Sequence, residues 1–299
     1  AVGKGDWSGR TWSPHTPKEL ISTAFYYYNA DAVAKAARLL KNNKEATKYE
    51  ALAKSTKAVF NKTFFNDTTK QYGTGSQCGN AMALAMGLAD AEDRKAVLDN
   101  LVADIENRKY ENTTGEVGMR YVLEALADGG RSDVAYRMNN QDVQPGYGYQ
   151  LKMGATALAE TWDAGRDNSQ NQFMFGHIIQ WFYHDLAGIQ MDAAKPGWQS
   201  FVIRPAIVED LAEVKASYKS IHGKIVSEWK RDGKKLTMYV AVPPNTSAMV
   251  YVPAKNGLEV RESGKPVTQM NGGNFIKTQG LYAVMTCGSG EYRFESVLE

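Results

Sequence analysis

The sequence predicts two domains in series, an all-helical domain over residues 1–190 and an antiparallel β-sandwich over 191–299. Two observations carry that reading. Apolar residues recur with a helical period from about Thr16 to Ile189 and with strand-like alternation afterwards, and a Pro196-Gly197 joint lies where the period changes. A chain of 299 residues accommodates two cores, and 43% hydrophobic with 23% charged residues is an ordinary globular balance rather than a disordered one.

The helices follow in order. Thr16-Pro17-Lys18-Glu19 is a capping-box pattern with proline at the first helical position. Behind it Ile21, Ala24, Phe25, Tyr28 and Ala32 predict one buried face, and Tyr49, Leu52, Ala53, Thr56 and Phe60 predict the next. A small-residue helix is expected over 79–88. Asp90 then reads as the cap of a helix with the stripe Val97, Leu98, Leu101, Val102 and Ile105. Val117, Tyr121, Val122, Ala125 and Leu126 predict a helix that stops at Gly129-Gly130, and Ser132 caps a short one through Met138. GATALAETWD, residues 154–163, reads as a helix of small residues ending in Glu160 and Trp162. The last stripe is Phe175, Ile178, Ile179, Phe182, Tyr183 and Leu186, closed by Gly188. About eight helices with short connections predict antiparallel hairpins.

Past residue 190, Val214, Ala216 and Tyr218 alternate with Glu213, Lys215, Ser217 and Lys219, a half-buried strand. Asp232-Gly233 is a two-residue hairpin signal, and Asn256-Gly257, Ser263-Gly264 and Asn271-Gly272-Gly273 punctuate the remainder. Seven or eight strands in a sandwich are expected.

Composition excludes several classes. A formal charge of +2 and the lack of a basic run argue against a nucleic-acid partner, and no apolar run is long enough to span a membrane. Cys78 and Cys287 suggest neither a disulfide framework nor a metal site. The histidines His15, His177, His184 and His222 form no metal-binding spacing, so no metal and no cofactor are expected. There is no nucleophile elbow and no phosphate loop. The opening AVGKGDWSGRTWSPHTPKEL has no charged start with an apolar run behind it and reads like the middle of something, so a piece of a longer chain is expected.

What remains is carboxylate and aromatic chemistry. Trp7 and Trp12 sit in a polar, glycine-containing loop, where an indole either offers its flat face to a sugar or plugs the end of a helix bundle. Glu160, near the end of its expected helix, gains nothing from the helix dipole. It either solvates that end or points into a cavity. His177 lies off its helix's apolar stripe, as a surface hydrogen-bonding residue or a site residue, and Tyr147-Gly148-Tyr149 is a rigid aromatic turn or a helix-start plug.

Several stretches together resemble the C-terminal part of the α-L-rhamnosidases of glycoside hydrolase family 78. They are GDW at 5–7, TPKELISTAFYYY at 16–28, TGEVGMRYVLEAL at 114–126, AYRMNNQDVQPGYGYQLKMGATALAETWD at 135–163 and NQFMFGHIIQWFYHDLAGI at 171–189. SIHGKIVSEW at 220–229 and VPPNTSAMVYVP at 242–253 extend the likeness into the strand domain. The resemblance implies that 1–190 is the C-terminal part of an (α/α)6 toroid and 191–299 an accessory β-sandwich. It also implies inverting hydrolysis of terminal α-L-rhamnosides in a rhamnose-containing glycan or glycoside. Glu160 falls on the Glu of the family's GAT-x-x-x-E-x-W segment and is implied as the general base, with Asp6, Trp7, Tyr147, Trp162, Gln172 and His177 implied at the sugar. Members usually carry Asn-His where this chain has Asn171-Gln172, which changes a possible cation into a neutral amide. The family's general acid lies upstream of GDW, in a segment not found here, so this chain alone is expected to be inactive. Family members that degrade external polysaccharide are often exported, which favours a secreted or periplasmic setting. The alternatives are a glycan-binding protein without catalysis, a related toroidal glycosidase or lyase for another sugar, and a helical scaffold.

Overall fold

The structure is a computed structural model that describes residues 6, 15–143, 145–165, 167–208 and 210–299. Trp7 and Trp12 therefore lie outside the described residues. The chain divides into two compact units, one ending at Ile178 and the other running Ile179–Glu299.

The first unit is built from helices packed in pairs. α1 (Lys18–Leu39) packs on α2 (Asn43–Phe64), whose first turn is capped by the Asn42 side chain accepting the Glu45 amide at 3.3 Å. A two-residue ladder, β1 (Phe65–Asn66) with β2 (Gln71–Tyr72), turns the chain into α3 (Gln77–Ala85). α4 (Arg94–Asn107), α5 (Gly118–Asp128) and α6 (Ser132–Asn139) complete the set, with α3 packed on both α4 and α5, and α6 on α5. Residues 77–84 of α3 are all buried. Gly79, Ala81 and Ala83 keep that helix thin enough to lie between neighbours.

Four expectations are corrected here. The capping box at Thr16 does not form, because the buried Thr16 hydroxyl is spent on Ser76 Oγ at 2.8 Å and Pro17 precedes the helix with no side-chain cap. The face of α1 is set by alanines rather than aromatics: Ala30, Ala34 and Ala37 are buried, whereas Tyr28 and Ala32 are exposed. The third correction concerns GATALAETWD, which is not a helix. A short α7 (Tyr147–Lys152) comes before it and ends at Gly154, whose φ of +85° is the left-handed conformation that glycine adopts freely. The described residues of 155–165 and 167–172 then run as irregular loop, because their backbone groups find non-helical partners. The Glu160 amide donates to Ser169 O (2.9 Å) and the Gln172 amide to Leu158 O (2.7 Å). The expected helix over Phe175–Leu186 is likewise broken into a 3₁₀ turn (Phe173–His177), α8 (Ile178–Trp181) and a π turn (Phe182–Leu186).

The second unit is a β-sandwich. Its strands are β3 (Ile189–Met191), β4 (Ser200–Ile203), β5 (Glu213–Ser220), β6 (Gly223–Asp232), β7 (Lys235–Val242), β8 (Ser247–Pro253), β9 (Arg261–Glu262), β10 (Lys265–Pro266), β11 (Gly273–Gln279), β12 (Tyr282–Cys287) and β13 (Gly290–Val297). One sheet has the order β10-β9-β13-β7-β6-β5 and the other β11-β12-β8-β4-β3. All these pairings are antiparallel except β4 on β8. There are more strands than the turn signals gave, because β3, β9 and β10 are too short to show an alternation. The Asp232-Gly233 hairpin forms with Asp232 opposite Lys235.

Between the sheets Phe201, Ile203, Trp229, Leu236, Met238, Val250, Met285 and Phe294 interleave as one core. The segment before β3 belongs to this unit because its carbonyls are taken there. Trp229 Nε1 donates to Leu186 O (2.8 Å), Ser227 Oγ to Ala187 O (2.6 Å) and the Ala206 amide to Asp185 O (2.8 Å). Among the described residues no helix is long and apolar enough to cross a membrane, and no group of His, Cys, Asp and Glu is placed to hold a metal ion.

Candidate active site

The site is organised by two loops of the first unit, 112–118 before α5 and 153–172 after α7. The first is a buried polar turn. Asn112 Oδ1 accepts the Thr114 amide (3.1 Å) and the Thr114 hydroxyl (2.7 Å), while Gln77 Oε1 accepts the Thr113 amide (3.1 Å). Gln77 Nε2 in turn donates to Asp104 Oδ2 and to Glu111 O, both at 3.1 Å. Asn112, Thr114 and Gln77 are at most 1% exposed, so each of these bonds satisfies a group that water cannot reach.

The second loop carries Glu160 and Trp162. Its spine is Gln150 of α7, which is 2% exposed. The Gln150 Oε1 accepts the Ala159 amide (3.1 Å) and its Nε2 donates to Thr161 O (3.0 Å). The main chain is thus gripped on either side of Glu160. Ser169 grips it at residue 160 itself, accepting the Glu160 amide at 2.9 Å and returning its own amide to Glu160 Oε2 at 3.0 Å. The glutamate is half-buried, with Ala159, Thr161 and Trp162 buried around it.

Trp162 is fully buried. Its ring stacks on Phe175 with centroids 3.8 Å apart and meets Tyr147 edge-on at 5.1 Å, and its indole N–H donates to Thr114 O. Aromatic pairs of this kind add about 0.5–1.5 kcal/mol each beyond area burial. Placed at the sugar by sequence, Trp162 in the structure instead ties the two loops together and offers no open face. The Tyr147 hydroxyl donates to Phe175 O, and burial pushes its pKa upward, so it stays a neutral donor.

Asp6 is the described residue of GDW. Its Oδ1 accepts the Gly118 amide at 2.8 Å, at the start of α5. Burial pushes its pKa above the ordinary 3.8, against the pull of the Gly115, Gly118 and Val117 amides and the Cys78 thiol. Gln172 is half-buried and docks by its own amide on Leu158 O. His177 is half-buried, with Nδ1 enclosed and lacking a hydrogen-bond partner among the described residues. Burial first, and the Arg120 guanidinium second, lower its pKa from 6.5. The loops therefore bring Glu160, Tyr147 and Trp162 into one neighbourhood and place Asp6 on the adjoining turn. Sequence reading missed Gln150, Phe175 and Thr114. A polar residue between Tyr149 and Leu151, in a run otherwise suited to packing, was the available signal for Gln150.

Comparison with known proteins decides the family. Residues 1–186 match the model for the bacterial alpha-L-rhamnosidase 6 hairpin glycosidase domain, and 188–266 match that for the bacterial alpha-L-rhamnosidase C-terminal domain. The chain belongs to the bacterial α-L-rhamnosidase family. An α-L-rhamnosidase of Streptomyces avermitilis is 32% identical over 98% of this chain and 28% of its own length, and one of Formosa agariphila is 27% identical over 94% and 31%. The chain spans 28–32% of the length of the curated rhamnosidases it matches. Among solved structures, the Streptomyces avermitilis α-L-rhamnosidase complexed with L-rhamnose superposes with a TM-score of 0.88 at 31% identity, over 98% of this chain and 28% of that one. The enzyme of Dictyoglumus thermophilum gives 0.87 at 31%, over 99% and 34%.

Proposed function

We propose that this chain supplies the general base and part of the sugar pocket of an enzyme that hydrolyses terminal α-L-rhamnosides with inversion. In this scheme the Glu160 carboxylate takes a proton from a water molecule as its oxygen attacks the anomeric carbon. An acid on the opposite face protonates the leaving oxygen as the glycosidic bond breaks. The two carboxyl groups of such a pair stand roughly 6.5–9.5 Å apart, which leaves room for the water. Tyr147 and Trp7 form aromatic walls, Gln172 and His177 offer hydrogen bonds to sugar hydroxyls, and Trp162 stiffens the floor beneath Glu160.

The observation that carries this reading is the double grip on Glu160, with its main chain held by Gln150 and its carboxylate by the Ser169 amide. A general base must present one oxygen at a fixed place, and spending the other on a backbone N–H accomplishes that. The relatives' names support the substrate class. Because the chain spans about a third or less of those relatives, we propose further that the 299 residues on their own hydrolyse rhamnosides negligibly. The test is the hydrolysis of p-nitrophenyl α-L-rhamnopyranoside by the natural protein that carries these residues. Glu160→Gln should lower kcat by at least ~10³-fold with KM little changed, since base removal acts on the chemical step. A variant with near-native turnover removes Glu160 from the mechanism.

A further inference from the structure

Two buried glutamines hold the two loops of the site in the same way. Gln150 brackets Glu160, taking the Ala159 amide on its Oε1 and giving its Nε2 to Thr161 O, at 3.1 and 3.0 Å. Gln77 brackets Asn112, taking the Thr113 amide on its Oε1 and giving its Nε2 to Glu111 O, both at 3.1 Å. Each side-chain amide stands in for one residue of a paired strand, with a donor and an acceptor facing main chain two residues apart.

Gln77 is itself held at both ends. It is the first residue of α3 and follows Ser76, whose hydroxyl accepts the Gly79 amide at 3.1 Å as the helix cap. Its Nε2 also donates to Asp104 Oδ2 on α4 at 3.1 Å, and Arg108 Nε holds the other Asp104 oxygen at 2.9 Å. The side chain is buried, so no water competes for these bonds. A single bond then joins the two bracketed loops. Asn112 Oδ1 takes the amide and hydroxyl of Thr114, the next residue, and the Thr114 carbonyl receives the Trp162 indole N–H. Trp162 stands two residues beyond Glu160.

We propose that Gln77 is a positioning residue for Glu160. By fixing the main chain at 111 and 113 it sets where Thr114 O stands, and through the Trp162 indole it registers the Glu160 loop against α3 and α4. The inference rests on the reading of Glu160 as the general base. Gln150 and Ser169 fix the carboxylate within its own loop, whereas Gln77 fixes where that loop lies. The distinction matters because a misplacement of ~1 Å can cost on the order of 100-fold in rate.

The test uses the natural protein that carries these residues, with p-nitrophenyl α-L-rhamnopyranoside, at a temperature where a thermal melt shows each variant folded. Gln77→Met keeps the side chain's length and removes its hydrogen bonds to Thr113, Glu111 and Asp104. It should lower kcat roughly 10- to 100-fold with KM little changed. Trp162→Phe, which loses the N–H that meets Thr114, should show the same split, and the double variant should be no slower than the slower single one. In a Glu160→Gln background Gln77→Met should cost nothing more. Gln77→Glu sets a carboxylate against Asp104 and should also lower kcat. Adding Asp104→Asn restores a donor facing that carboxylate and should recover most of the loss.

A folded Gln77→Met enzyme with near-native kcat overturns the proposal, as does a loss carried by KM or one that adds to that of Trp162→Phe. If Gln77→Met does not fold, the exchanged pair decides. Gln77→Glu with Asp104→Asn must then be several-fold faster than Gln77→Glu alone, and an equal kcat overturns the role. A Glu160→Gln enzyme at near-native speed sinks the general-base reading and this proposal with it. An inert Glu160→Gln beside a fully active Gln77→Met sinks the role of Gln77 alone.

Discussion

Gln150 offers the sharpest test of how the site is held. Truncating it to alanine strands the Ala159 N–H and the Thr161 carbonyl, whose partners at 3.1 and 3.0 Å are both atoms of that one amide. Ala159 and Thr161 are buried, so water cannot take over without the loop opening. An unsatisfied buried polar group costs about 1–3 kcal/mol, which puts the pair at roughly 2–5 kcal/mol. For a unit of this size about 2–4 °C is lost per kcal/mol, so the midpoint of the helical unit should fall by ~5–15 °C. The local readout is more specific, since ~2 kcal/mol already corresponds to about a 30-fold faster exchange of the Ala159 amide. Gln150→Glu should fall between wild type and alanine, because the acceptor for Ala159 survives while the donor to Thr161 is lost. The measurements are a calorimetric melt and residue-resolved hydrogen exchange. If Gln150→Ala melts within about 1 °C of wild type and leaves Ala159 protected, the loop is held by something else and the reasoning fails.

Three further outcomes are expected. Trp229→Phe removes a fully buried indole and its bond to Leu186 O, and should destabilise the β unit by about 2–4 kcal/mol in urea titrations monitored by near-ultraviolet dichroism. Cys78 and Cys287 are free and buried, and burial pushes the Cys78 thiol well above 9 and Cys287 up to about 12. At pH 8 a chromogenic disulfide should therefore label neither thiol in the folded chain and both in denaturant. His177, its pKa lowered by burial and by Arg120, favours the neutral ring in the folded state. Its contribution is thus complete above its ordinary value of 6.5 and is lost as the pH falls below that value towards the folded one. Urea stability measured from pH 7 down to 5 should show a smaller acid loss in His177→Gln than in wild type, and equal slopes would remove His177 as the source.

The outline of both units was legible because periodicity reports which face is buried, and burial dominates wherever an element is long. Of the stripe Val97, Leu98, Leu101, Val102 and Ile105, all but the half-buried Leu98 are buried in α4. Legibility fell wherever a polar side chain had a choice of partners. Thr16 carries a capping signature, yet its hydroxyl pairs with Ser76, 60 residues away, and local sequence contains no trace of that competitor. GATALAETWD failed for the same reason on a larger scale. Alanine-rich composition favours a helix by a few tenths of a kcal/mol per residue. Gln150, Ser169 and Gln172 together make five hydrogen bonds near 3 Å with its backbone and with Glu160, all from outside the segment. Of the candidate site, the structure brings Glu160, Tyr147 and Trp162 together, all three singled out in the sequence, and Trp162, expected at the sugar, is fully buried.

The loss of the helix at 154–163 also bears on how a carboxylate is aimed. In the body of an α-helix every amide N–H is committed to the carbonyl four residues back, so a glutamate there has no main-chain donor for its carboxylate. Its rotamer is then left to side-chain packing. The irregular loop removes that restriction. The residue 160 amide and the Ser169 carbonyl form one bond, the Ser169 amide and Glu160 Oε2 form the return bond, and the two close a ring that fixes backbone and carboxylate together. Two positions on, the same loop drives Trp162 under Phe175 and ties its N–H to Thr114, on the turn that also receives Asp6. A helix would have been the cheaper structure for this composition. The loop is the arrangement that fixes one oxygen of Glu160, leaves the other uncommitted among the described residues, and registers both against the turn before α5.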